Sequence, residues 1–208
     1  MKKVLLIGGG AHCASVIDTI SQQATYEAVG ILDIPEKQGG YSLNVPIIGT
    51  DSDMIKYFNL GIQYAFITIG SITVRQKLVS EAKRIGFEFP IIIDPSSIVS
   101  KHTQIGAGTF IGKGAILNNT VTVGEHAIIN TGSIVEHDGR IGNFAHIAPG
   151  ATLSGNVRVG NCSHIGTNAT IIQNVVIGDN TLIGAGSVVL RDVASGKKAY
   201  GNPCKEAD

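Results

Sequence analysis

Residues 141–166 read IGNFAHIAPGATLSGNVRVGNCSHIG, with an aliphatic residue at Ile141, Ile147, Leu153, Val159 and Ile165, always six apart. The spacing continues in both directions: every sixth residue from Ile93 to Val189 is Ile, Leu or Val, without a break. A period of six does not suit an α-helix, whose apolar stripe recurs at three and four. It suits a solenoid with three flat faces and one inward aliphatic per face, so that eighteen residues complete a coil. The residue after the aliphatic is often glycine, as at Gly106, Gly112, Gly124, Gly142, Gly160, Gly166, Gly178 and Gly184, with asparagine at Asn118 and Asn130. Both types tolerate a tight or left-handed corner. Four residues past the aliphatic the side chain is usually small (Ser97, Ala115, Ala127, Ser133, Ala145, Ala151, Ser163, Ala169), as the inside of a narrow prism demands. At about 4.8 Å per coil the column is roughly 27 Å tall. The pattern specifies a parallel β-helix; it does not specify its hand.

Residues 1 to about 90 have a different rhythm. Apolar strands at residues 4–7, 28–32, 64–69 and 89–93 alternate with helical stretches at about 11–22, 51–58 and 71–84. Ser71 is the expected cap of the last helix, in which Val74, Leu78, Ala82 and Ile85 recur at helical spacing. Alternating β and α elements imply a parallel sheet with ligand sites beyond the carboxyl ends of its strands. The glycine turn at residues 8–10 and the downstream Asp33 allow a nicotinamide-dinucleotide reading, although Cys13 replaces the third glycine and His12 crowds the approach. A tight strand-to-helix turn without a ligand is the plainer alternative.

Composition narrows the function classes. The 208 residues carry no formal net charge, so there is no electrostatic footprint for nucleic acid or an acidic membrane. Three widely spaced cysteines, Cys13, Cys162 and Cys204, argue against a disulfide framework. Lys2-Lys3 leads into only a short apolar run ending in glycines, which is not the form of a signal peptide. No stretch approaches the length of a membrane span. The expectation is a soluble cytoplasmic enzyme without membrane insertion.

Four segments carry a resemblance that covers the whole chain: GGGAH (8–12), IINTGSIVEHD (128–138), FAHIAPGATLSGNV (144–157) and GNPCK (201–205). Together with the hexad repeat they resemble the hexapeptide-repeat sugar acetyltransferases of the PglD, perosamine N-acetyltransferase and NeuD type. The resemblance implies a small Rossmann-like domain over residues 1–92 that binds a nucleotide-sugar. It implies a left-handed parallel β-helix over residues 93–190, against the usual crossover hand, and a tail over residues 191–208 that packs near the coenzyme. It further implies acetyl transfer from acetyl-CoA to the amino group of a nucleotide-linked amino-sugar, of the UDP-4-amino-sugar or GDP-perosamine type, for a bacterial surface glycan. O-acetylation of sialic acid or another glycan precursor is the alternative, and a non-catalytic β-helical scaffold is a third reading.

By the same resemblance His137 is the general base and Asp138 orients it and raises its basicity. An acceptor amine must lose a proton as it attacks a thioester, and imidazole, with a reference pKa near 6.5, is suited to take it. His146, Thr167 and Ala185 are implied to contact coenzyme A. Gly10, Ala11, His12, Asp33 and Gly70 are implied to hold the nucleotide-sugar, and Lys205, in the tail near the coenzyme, is a candidate contact to a coenzyme phosphate. The eighteen-residue coil adds a reading of its own. Gly155 stacks one coil beyond His137, and its N–H is a candidate donor to the thioester oxyanion; turning a corner is its simpler role. His146 and His164 are also eighteen apart and should stack. A metal between them is the lesser reading, since carboxylates are few nearby, and no metal cofactor is expected. A homotrimer is implied, with His137 from one subunit and part of the coenzyme groove from the next.

Overall fold

The computed structural model of the protein describes residues 1–207. The chain divides into two compact units, Met1–Ile92 and Ile93–Asp208.

The first unit is built on a five-stranded sheet. In chain order its elements are β1 (Lys2–Ile7), α1 (Ala11–Ser21), β2 (Tyr26–Leu32), β3 (Tyr41–Ser42), β4 (Val45–Gly49), α2 (Met54–Asn59), β5 (Tyr64–Ile67) and α3 (Ile72–Ile85), and the strand order is β3-β4-β2-β1-β5. The four longer strands run parallel, and β3 pairs antiparallel with β4. Val4, Leu5, Leu6 and Ile7 are fully buried, as a central strand covered on both faces requires.

Two local expectations need correction. The fourth parallel strand is β4, not residues 89–93: Glu88 makes one isolated bridge to Tyr64, the chain then reaches Pro90, which has no N–H to give a ladder, and of the expected segment only Ile92–Ile93 is a strand, outside this sheet. Pro46 hides β4 in the sequence, yet the strand alternates buried and half-buried residues, and its register with β2 begins only at Ile47, one residue past the proline. Ser71 does stand at the N-cap of α3, but its side chain makes no capping bond. In that helix Leu78 and Ala82 face the core while Val74 is 42% exposed, and Arg75 is buried at 2%.

In the second unit, two-residue strands recur every six residues from Ile98–Val99 to Val188–Val189. They form three parallel walls in which each strand pairs with the one eighteen residues on, as in Ile134↔Thr152, Arg140↔Arg158 and His146↔His164. The ladder aliphatics fill the interior, with Ile111, Ile129, Val135, Ile147, Leu153, Ile165, Ile171 and Ile183 at 0% exposure. Small polar residues inside the prism are satisfied by the backbone. Thr109 Oγ1 donates to the Gly124 carbonyl at 2.8 Å, and Ser163 Oγ to that of Gly178 at 2.6 Å.

The glycines that follow the aliphatics have a different reason from the one expected. The left-handed backbone occurs two residues later, at Gly114, Thr120, His126, Gly132, Asp138, Phe144, Gly150 and Asn156. At the post-aliphatic glycines the constraint is proximity. A Cβ on Gly142 would lie 2.6 Å from the Asn161 nitrogen, and one on Gly166 would lie 2.5 Å from the Ala185 nitrogen. Each coil rests its backbone directly on the next at these points, which leaves no room for a side chain.

The tail returns to the same column. Lys198–Tyr200 pairs parallel with Leu182–Ile183, then Lys205–Glu206 pairs antiparallel with it. Tyr200 lies over Gly184, where a Cβ would meet its ring at 2.2 Å, and Gly201 N–H donates to Ser187 Oγ at 3.1 Å.

Candidate active site

His137 and Asp138 form one corner turn, between the strands Ile134–Val135 and Arg140–Ile141. Their side chains are 56% and 58% exposed, so packing does not hold them and hydrogen bonds must. His137 Nδ1 lies 2.9 Å from Asp138 Oδ2. With Nδ1–H donating to the carboxylate, Nε2 keeps its lone pair and can accept a proton. The His137 hydrogen bond, followed by that of Thr120, holds the Asp138 carboxyl below the usual range, so Asp138 stays ionised.

Gly155 stacks on the imidazole one coil along. A Cβ there would lie 2.6 Å from both Cε1 and Nε2 of His137, so only glycine leaves the ring its seat. The Asn156 N–H donates to the His137 carbonyl at 2.8 Å and locks the two coils in this register. Two further partners escape a reading based on motifs. Thr120 Oγ1 donates to Asp138 Oδ1 at 2.8 Å, and Asn118 Nδ2 donates to Glu136 Oε2 at 2.9 Å. Both pairs are eighteen residues apart, so the coil period sets their backbones above one another, while the side-chain rotamers decide that the polar groups meet.

His146 lies on another wall. Its ring meets that of His164 edge to face, with centroids 4.7 Å apart, and its Nε2 lies 3.1 Å from Asn130 Nδ2. Asn130 Oδ1 takes the Thr131 N–H at 2.8 Å, which fixes the amide so that Nδ2 is the donor and His146 Nε2 the acceptor. Among the described residues no group of three or more His, Cys, Asp or Glu is arranged to hold a metal ion. Thr167 and Ala185 share the next corner, stacked in successive coils, with Gly186 N–H donating to the Thr167 carbonyl at 2.8 Å. Within one chain that corner and the His137 corner are separated by the wall that carries Ile116, Ile134, Thr152 and Thr170.

In the first unit a cleft of about 280 Å³ opens beyond the carboxyl ends of β1, β2 and β5, and Gly10, Ala11, His12, Asp33 and Gly70 all line it, with Lys37 and Thr68. Gly8 sits at φ 104°, and Gly10 caps α1 in an extended conformation without a side-chain bond. The turn thus presents helix N–H groups to the cleft, the usual arrangement for an anion. Asp33 is already engaged within the protein. Its Oδ2 accepts the Gly9 N–H at 2.7 Å and meets Lys37 Nζ at 2.9 Å, and its Oδ1 accepts the Ile34 N–H at 2.8 Å. Burial pushes this carboxyl up, but Lys37 and the N–H groups of Ile34 and Gly9 outweigh it and hold it below the ordinary range.

Behind the cleft Arg75 Nη1 donates to the carbonyls of Ile69 and Gly70, both at 2.9 Å. Burial, with Arg75 nearby, pushes the His12 imidazole down to about 4, so it is neutral at physiological pH. Cys13 lies fully buried on α1, and burial pushes its thiol up to about 11, which makes it inert.

Two family models match the chain: the PglD N-terminal domain over residues 3–82 and the bacterial transferase hexapeptide (six repeats) over residues 156–191. No curated protein matches by sequence. Solved structures match along the full length. PerB from Caulobacter crescentus, determined with CoA and GDP-perosamine, is 35% identical with a TM-score of 0.93, covering 99% of this chain and 97% of its own. A histidine-to-asparagine variant of perosamine N-acetyltransferase from the same organism, also with CoA and GDP-perosamine, is 35% identical with a TM-score of 0.94 and the same coverage. The chain belongs to the hexapeptide-repeat sugar N-acetyltransferases. Another member, the acetyltransferase domain of PglB from Neisseria gonorrhoeae, was determined with acetyl coenzyme A. It is 32% identical with a TM-score of 0.93, covering 99% of both chains. Membership settles the hand that the hexad pattern leaves open: the column is a left-handed parallel β-helix.

Proposed function

We propose that the protein transfers the acetyl group of acetyl-CoA to the amino group of a nucleotide-linked amino-sugar, with His137 as the general base. The observation that carries this reading is an exposed imidazole whose Nδ1 is tied to an ionised carboxylate, leaving Nε2 as the proton acceptor. The amine nitrogen attacks the thioester carbon as Nε2 removes its proton. The tetrahedral intermediate then collapses, the C–S bond breaks, and the thiolate leaves, to be protonated by the imidazolium. A base so placed supplies roughly 10²–10⁴-fold. Gly155 lies against Nε2, and its N–H is the proposed donor to the oxyanion, a role of about 2.7–4 kcal/mol for a well-placed donor.

His146, Thr167 and Ala185 are the proposed contacts to coenzyme A. Gly10, Ala11, His12, Asp33 and Gly70 are the proposed lining of the nucleotide-sugar site, with Asp33 acting through the geometry of the Gly9 turn as well as at the ligand. The Thr167 and Ala185 corner lies one wall away from His137 in the same chain, which supports a homotrimer in which one subunit gives the base and its neighbour the coenzyme groove. Among the described residues no helix is long and apolar enough to cross a membrane. Acetyl-CoA and nucleotide-sugars are cytoplasmic metabolites, which supports a cytoplasmic location.

The test is release of CoA thiol from acetyl-CoA against UDP-, GDP- and dTDP-linked amino-sugars, with free sialic acid as a hydroxyl acceptor. An amino-sugar should be turned over and His137→Ala should lose at least two orders of magnitude in kcat. Turnover of the hydroxyl acceptor alone, or a fully active His137→Ala, would overturn the reading.

A further inference from the structure

We propose that Thr120, one coil before the catalytic corner, is a positioning residue that fixes the Asp138 carboxylate in line with His137, so that acetyl transfer depends on a Thr120–Asp138–His137 relay across two coils. This rests on the reading of His137 as the base. Both carboxylate oxygens are committed: Oδ2 to His137 Nδ1 at 2.9 Å and Oδ1 to the Thr120 hydroxyl at 2.8 Å. The Asp138 N–H also points into the preceding coil, 3.3 Å from Thr120 Oγ1 and 3.3 Å from the Asn119 carbonyl. The hydroxyl has a second acceptor in reach, the Asn119 carbonyl at 2.5 Å, but the charged carboxylate is the stronger one.

The backbone of the coil sets the hydroxyl in place. Thr120 has φ 61°, in the left-handed region that β-branched residues avoid. Further along the same corner column Asn156 and Asn174 take this conformation at φ 56° and 64°, as short amides readily do. The coil imposes this conformation at the equivalent corner position, on Phe144 and Cys162 as well, and so holds the threonine against its own preference where its hydroxyl meets Asp138. Asp138 is itself left-handed, at φ 60°. An exposed imidazole has no packing to fix its rotamer or tautomer. Thr120 below and Gly155 above supply what packing does not: one orients the carboxylate, the other seats the ring.

The test uses the full chain carrying Thr120→Val, Thr120→Gly or Thr120→Ser, read by kcat for acetyl transfer and by the ¹⁵N-detected tautomer of His137. Valine keeps the shape and loses the hydroxyl; glycine loses the hydroxyl while relieving the backbone. Both should lose about tenfold in kcat, a part of what the base supplies, and shift His137 away from the Nδ1–H tautomer. Thr120→Gly should do so with an unchanged or higher Tm, and Thr120→Ser should keep kcat within about threefold and hold the parental tautomer. Parental kcat or an unmoved tautomer in both Val and Gly variants overturns the relay. A loss of kcat without a tautomer shift also overturns it, since disturbed folding alone would do that. Should the parent transfer acetyl to no acceptor, the function proposed above fails and the tautomer alone decides the relay, for it if displaced and against it if not.

Discussion

At the scale of single residues the site is defined by what has been left out as much as by what is present. Gly155 has no Cβ because the His137 ring occupies that space at 2.6 Å. Gly155→Ala should fold, displace the imidazole and lower kcat by about tenfold or more, with a far smaller effect on KM for acetyl-CoA; kcat with saturating substrates checks this. His12 offers a second prediction, in stability. Its imidazole is held neutral, down to about 4, against 6.5 when exposed. Between those values the unfolded chain binds a proton that the native chain refuses, so stability is full above about pH 6.5 and falls as the pH drops toward 4. The loss approaches about 3 kcal/mol below pH 4. Denaturant unfolding at pH 7 and pH 5 should show it, and His12→Gln should flatten that part of the profile. The His-Asp pair and the glycine turn were legible as motifs, but Thr120 was not. Its role depends on a hydroxyl eighteen residues away in sequence and 2.8 Å away in space.

At the scale of the element, the coil carries two separate glycine requirements that look alike in sequence. Gly166 needs space, because the Ala185 nitrogen lies 2.5 Å from where its Cβ would be; Gly132 needs a left-handed backbone at φ 64° and has nothing within 4 Å. Gly166→Ala should therefore cost about 1–3 kcal/mol through overpacking, while Gly132→Asn should stay within about 1 kcal/mol because asparagine accepts the conformation. Thermal melts of the two variants separate these causes. The hexad period revealed that corners exist, but not which residue of each corner turns left. That is decided by how the inward side chains place the strands, and it falls at the third residue after the aliphatic. In the first unit β4 was obscured by Pro46, which lacks a ladder donor; the strand forms nonetheless because its register with β2 begins only at Ile47, one residue past the proline.

For the whole molecule, the proposed trimer places its prediction on the wall between the two corners. That wall presents Ile98 at 65% exposure, with Ile116 and Ile134 half-buried above it. Ile134→Arg puts a charge where a second column would pack. It should yield monomers in sedimentation velocity and abolish turnover, while circular dichroism stays that of a folded β-helix. Native-like trimers with parental activity would refute the arrangement. The sequence by itself determined the repeat, the coil of eighteen, the interior aliphatics and which residues lie above one another, because a solenoid converts a fixed sequence offset into a fixed spatial one. Only the tertiary structure decided the rest: that Asp33 is clasped by Gly9 and Lys37, that β4 rather than a later segment completes the parallel sheet, and that a hydroxyl grips Asp138. Those contacts depend on side-chain rotamers and on strands brought together across loops, which no single periodicity encodes.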